Sequence, residues 1–118
     1  MVRFTALLVV VAGLMTAVAL PMVTRDAVGV AAAQESYVSM QFNRFAPEEI
    51  AVPAGATVIW VNEDYDSGEW HDVIAEDGSF ASESFPPGGA FSVSFPVPGV
   101  YVYYCDLHEG MFGRIFVE

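Results

Sequence analysis

The sequence predicts an all-β fold, a Greek-key β-sandwich of about seven to eight strands. Three observations predict it. Short apolar or alternating runs recur between glycine and proline positions, no stretch of ten or more residues after Ala33 carries a helical period, and the runs are spaced closely enough to fit within the last 85 residues of a 118-residue chain.

Taken in order, Val38, Met40 and Phe42 alternate with polar neighbours and read as a first strand with one buried face. Residues 49–52 form a second short run, stopped by the turn signal Pro53-Ala54-Gly55. Residues 57–62, rich in β-branched side chains and carrying Trp60, read as a central strand with Trp60 in the core. A long polar loop follows, Asn62 to Trp70. His71 to Ile74 and Phe80 to Ser82 are short strand candidates, and Phe91, Val93 and Phe95 alternate with serines. Pro98-Gly99 turns the chain into a strand over 100–105, with Tyr101 and Tyr103 facing inward, and 114–118 closes the sheet.

The first 33 residues read differently. Arg3 precedes an uncharged apolar run of 17 residues from Phe4 to Leu20, and a small-residue stretch ends at Ala31-Ala32-Ala33. This is the pattern of a secretory signal cleaved after Ala33, with residues 34–118 as the mature domain. The alternative is a retained membrane tether through residues 4–20, since 17 apolar residues lie at the short end of bilayer spans. Either way the domain is expected outside the cytoplasm, in the periplasm or on the outer face of the cytoplasmic membrane.

Residues 34–118 carry 2 Arg, no Lys and 14 Asp or Glu, a formal charge of −12. Such acidity excludes nucleic acid and anionic membrane surfaces as partners and suits a basic partner or a salty medium. The acidic loop 63–69 has the flavour of a calcium loop but lacks its ligand spacing, and is read as a solvated face. Cys105 is the only cysteine, so no disulfide supports the fold. A lone thiol in an oxidising compartment needs protection, which burial or a metal bond supplies.

The chemistry is concentrated at Cys105-Asp106-Leu107-His108-Glu109-Gly110-Met111, a C-x2-H-x2-M spacing between two strands. Thiolate and thioether favour Cu(I), while imidazole suits both copper oxidation states. A trigonal site with a weak axial Met needs a second imidazole, and the other histidine of the chain is His71. Zinc is disfavoured, because a thioether serves neither its structural nor its catalytic sites. One copper ion held by His71, Cys105, His108 and Met111 is the reading.

This loop resembles the copper loop of plastocyanin-type cupredoxins, with the short ligand spacing of amicyanins. The resemblance extends to Phe45 through Gly55, Val58-Ile59-Trp60-Val61-Asn62, His71-Asp72-Val73 and Gly99 through Cys105. It implies a cupredoxin-like sandwich with His71, Cys105 and His108 as equatorial ligands, Met111 as the axial one, and one-electron transfer between partner proteins. It also implies a monomer whose redox partners dock transiently near His108, on a ring to which Leu107, Met111 and Phe112 are candidates. Tyr104 matches the surface Tyr of plastocyanins, although an exposed strand aromatic is the preferred reading. The sequence departs from the pattern at Asp72, where the family usually has Asn, and in a longer segment from Asn62 to His71. The rival functions are a Cu(I) carrier or store, a degenerate cupredoxin domain, a piece of a multicopper enzyme, and a Cys-His hydrolase. The last lacks a legible oxyanion device or pocket, and the chain is not expected to be an enzyme.

Overall fold

The computed structural model describes residues 34–118; the export signal or tether expected over residues 1–33 lies outside them. Eight strands form two four-stranded sheets, and there is no helix among the described residues. In chain order they are β1 (Glu35–Gln41), β2 (Arg44–Ala46), β3 (Glu49–Val52), β4 (Ala56–Asn62), β5 (Ile74–Ala75), β6 (Ala90–Phe95), β7 (Gly99–Tyr104) and β8 (Phe112–Val117). One sheet runs β2-β1-β4-β6 and the other β3-β8-β7-β5. The predicted all-β sandwich is thus observed. Two of its pairings, β1 with β4 and β3 with β8, are parallel. Parallel neighbours cannot be joined by a hairpin, so the chain crosses repeatedly between sheets, as a Greek key does.

The alternation read from the sequence is the alternation seen. Ala56, Val58, Trp60 and Asn62 on β4 all point inward and are buried. The first three meet Val38 and Met40 of β1 and Val52, Tyr103, Ile115 and Val117 of the facing sheet in one core. Side chains of this size each gain roughly 1.5–3 kcal/mol from leaving water. Trp60 lies edge-on to Tyr103 at 5.2 Å between ring centroids and tilted against Phe80 and Phe91. Tyr101 is partly buried and packs on the same core beside Phe95.

Three local expectations differ from the structure. Phe42 does not continue the buried face of β1: it sits in the β1–β2 turn with φ 58° and is 72% exposed. The sequence offers no glycine there, so the hairpin was hidden. Residues 71–74 form only an isolated bridge, His71 with Phe85, before the two-residue β5. Residues 80–82 contribute a single bridge, Ala81 with Ile74. These fragments are too short to show a period, yet they pin His71, whose backbone N–H and C=O both bond to Phe85, at 3.1 and 2.8 Å.

Candidate metal centre

Two segments converge at one end of the sandwich. Cys105 follows the last residue of β7, and the loop 105–111 returns the chain to β8. That loop is closed by its own backbone: Cys105 N–H donates to Met111 C=O at 2.9 Å and Met111 N–H to His108 C=O at 3.3 Å. Between them Gly110 adopts φ 81°, a conformation that glycine reaches without steric cost. His71 arrives from the other side, held by its bridge to Phe85.

The result brings His71, Cys105 and His108 together, with one possible ligand atom of each lying within 4.8 Å of the others. His71 and Cys105 are buried, whereas 14% of the His108 side chain remains exposed. Cys105 Sγ lies 3.9 Å from His71 Nδ1 and 3.6 Å from His108 Nδ1. Bonds of about 2.0 Å to nitrogen and 2.3 Å to sulfur, set at 120°, separate such donors by about 3.7 Å. The observed spacing therefore fits a trigonal N₂S metal site. Met111, the fourth predicted residue, is buried on the same loop, next to the exposed Phe112.

The far nitrogens of both rings are also engaged. His71 Nε2 is 2.7 Å from Asp64 Oδ2, and His108 Nε2 is 2.6 Å from Glu69 Oε1. A carboxylate can only accept, so each Nε2–H donates to its carboxylate and each Nδ1 is the ring atom that faces the sulfur. Asp64 is itself 4% exposed, and its other oxygen accepts the Phe42 N–H at 3.1 Å. Burial alone pushes the Asp64 carboxyl up, but the bonds from His71 and Phe42 together outweigh it and hold the group below its ordinary value.

These contacts correct the view of loop 63–69 as merely a solvated face. Its stem residue Asn62 is fully buried; its Nδ2 donates to the Glu69 and Phe85 carbonyls at 2.9 and 3.0 Å, and its Oδ1 accepts from Asp64 N–H at 3.0 Å. The loop is folded onto the site, and Asp64 and Glu69 are histidine partners that sequence reasoning missed. Their only signal was acidic character within ten residues of a histidine, too common to single them out.

Asp72 ties the segment of His71 to the 105–111 loop: its Oδ1 accepts the Asp106 N–H at 2.7 Å. Its own N–H points at Cys105 Sγ, 3.5 Å away. Burial pushes the Cys105 thiol above its ordinary range, and the Asp72 carboxylate adds to this, while the Asp72 and Leu107 N–H groups pull the other way. The thiol thus stays protonated until a cation displaces the proton, which is how a buried cysteine escapes oxidation.

The chain matches the model of the cupredoxin-like domain family over residues 5–117. It is 31% identical over 87 residues to a plastocyanin of Scenedesmus fuscus, covering 63% of this chain and 86% of that one. It is 30% identical over 84 residues to an amicyanin of Paracoccus versutus, covering 69% of this chain and 63% of that one. Among solved structures, a purple cupredoxin from Nitrosopumilus maritimus superposes with a TM-score of 0.64 at 26% identity, covering 70% of this chain and 99% of that one. A copper-containing nitrite reductase from Thermus scotoductus SA-01 gives 0.65 at 34% identity, but the match spans 24% of the reductase.

Proposed function

Because this chain belongs to the cupredoxin-like domain family, we propose that it is a mononuclear type 1 copper electron-transfer protein that shuttles single electrons between redox partners outside the cytoplasm. The observation that carries the proposal is the convergence of two proton-locked imidazoles on one buried thiol, at 3.6 and 3.9 Å. His71, Cys105 and His108 would hold the copper equatorially and Met111 would supply the weak axial thioether, a donor set that is stable to both Cu(I) and Cu(II). Bound there, copper supplies a one-electron couple.

The chain's own residues supply everything else such a couple needs. Fast transfer requires that donors move little between oxidation states, and here each donor is braced: Cys105 by β7, His71 by Phe85 and Asp64, His108 by Glu69. Met111, on the loop of Cys105 and His108, is buried, as is Val73 two residues after His71. His108 reaches the surface, and Leu107, Phe112 and Trp70, each about half exposed, flank the ligand segments and would give a small apolar face for brief docking. Of the expected ring, Met111 is buried instead and stays with the ligand set. Tyr104 is partly exposed, and we keep it as a strand aromatic rather than a second electron port.

Burial argues against the Cu(I) carrier reading, since a thiol that is 3% exposed beside a fully buried His71 is poorly placed for handing metal on. The reductase's reaction does not carry over, because the match spans a quarter of that enzyme. The deciding experiment adds one equivalent of Cu(II) to the mature domain and to Cys105→Ser, and records visible spectra before and after ascorbate. An intense thiolate-to-copper band that bleaches reversibly and is lost in the variant supports the proposal. A colourless protein, or one that takes only Cu(I), overturns it.

A further inference from the structure

The carboxylate on the exposed histidine is the feature that docking through His108 does not require. A site built only to dock a partner through His108 would leave Nε2 open to solvent, yet Glu69 Oε1 sits 2.6 Å from it. Ion pairs at the surface are usually worth little, because two long side chains must be frozen to make them. Here the cost is reduced on both sides. Glu69 is anchored through its backbone, whose carbonyl accepts from the buried Asn62 Nδ2 at 2.9 Å and whose N–H donates to Ser67 Oγ at 3.3 Å. The imidazole is fixed within the closed 105–111 loop.

We propose that Glu69 is a positioning residue for His108: it fixes the Nε2–H tautomer that turns Nδ1 toward the Cys105 sulfur, and its charge lowers the reduction potential of the bound copper. The physical ground is general. A carboxylate on the far nitrogen of a ligating imidazole orients the ring and strengthens it as a donor. A stronger donor and a nearby negative charge both favour the more highly charged Cu(II). Asp64 does the same for His71 from the interior, so one loop between β4 and His71 sets the donor atoms of both histidines. The difference is accessibility. The Glu69 side chain is 47% exposed, so its share of the potential can be removed without disturbing the core.

The claim about potential rests on the copper reading above, whereas the claim about the tautomer does not, and the test separates them. In the metal-free protein at about pH 8, above the ordinary imidazole range, ring nitrogen-15 NMR reports the tautomer of each histidine. His108 is expected as Nε2–H in the wild type and in Glu69→Gln, whose amide oxygen still accepts, and as a tautomer mixture in Glu69→Ala; His71 should not change in either. In the copper-loaded protein, Glu69→Gln should favour reduction by about tenfold at a fixed applied potential, a rise of about 59 mV for a one-electron couple. Asp66→Asn removes the same charge from the same loop, without a bond to His108, and should give less than half of that shift. Equal shifts in the two variants, or an unchanged His108 tautomer in Glu69→Ala, overturn the proposal. If the wild type takes no copper, the copper reading fails and the NMR result alone decides what Glu69 does.

Discussion

Replacing Tyr103 with Phe tests the packing that holds Cys105 in place. Tyr103 is completely buried, edge-on to Trp60 and to Phe45, two residues before Cys105. Neither its hydroxyl nor the Trp60 Nε1 has a hydrogen-bond partner of good geometry among the described residues, although the Trp60 N–H lies near enough to favour the phenolate. A buried, unsatisfied hydroxyl costs about 1–3 kcal/mol, so its removal relieves a penalty, against a small loss of packing contacts. Burial also pushes the phenol from its ordinary 10 up to about 12, with Trp60 pulling it back and Glu48 adding to the rise. A raised folded-state value means that the stability is whole below pH 10 and drains away as pH climbs through 12. By pH 12 the wild type should have lost about 2 kcal/mol that Tyr103→Phe never had at risk.

The assay is urea unfolding of the metal-free domain, followed by tryptophan fluorescence, at about pH 7 and at two points between 10 and 12. At neutral pH the variant should equal the wild type or exceed it by up to about 1 kcal/mol. In alkali it should gain on the wild type by about 2 kcal/mol. A variant less stable by more than about 1 kcal/mol at neutral pH would mean that the hydroxyl makes a bond after all. Parallel pH profiles would refute the argument that burial controls this phenol.

Asp72→Asn keeps an acceptor for the Asp106 N–H and removes a charge beside the sulfur. Like charges a few ångströms apart at an effective dielectric near 20 repel by on the order of 1–4 kcal/mol. Voltammetry should therefore show the potential rising by roughly 50 mV or more. In the metal-free variant, thiolate absorbance against pH should show the Cys105 thiol titrating lower than in the wild type. Gly113→Ala places a methyl 2.5 Å from the Tyr103 hydroxyl and 2.9 Å from the Glu48 carbonyl, and β8 is held on both sides by β7 and β3. It should cost about 1–3 kcal/mol by urea unfolding. In a Tyr103→Phe background the cost should shrink only modestly, because the ring Cζ at 2.6 Å and the backbone carbonyl both remain.

How legible this molecule is depends on the range of the interactions involved. Period-two alternation is local, so β4, β6 and β7 could be placed from residues such as Val58, Trp60, Phe91, Val93 and Tyr103 alone. The ligand loop was equally plain, because Cys105, His108 and Met111 lie within seven residues. His71 was found by elimination among two histidines. What stayed hidden was everything set by partners distant in sequence. The β1–β2 hairpin turns at Phe42 and Asn43, both with positive φ and neither a glycine, and Phe42 is held there by Asp64, 22 residues away. Glu69 reaches His108 across 39 residues. Acidic residues in a polar loop look the same in sequence whether they face water or an imidazole.

The polar segment from Asn62 to His71 carries two carboxylates that reach the two histidines. A short connection could bring His71 to the site but could not also carry two carboxylates to opposite sides of it. Asp64 enters the interior beside Asn62, while Glu69 stays at the surface, and backbone bonds from Gly68 N–H to Asp64 C=O and from Asn62 to Glu69 keep the two in register. Burying the Asp64 charge is costly in itself, and it is tolerated because the carboxylate takes bonds from both Phe42 and His71. The same bonds therefore tie the β1–β2 turn, the acidic loop and the buried His71 into one unit. Rigidity at the site follows from that linkage: His71 cannot turn without releasing Asp64, and Asp64 cannot leave without exposing the turn it closes.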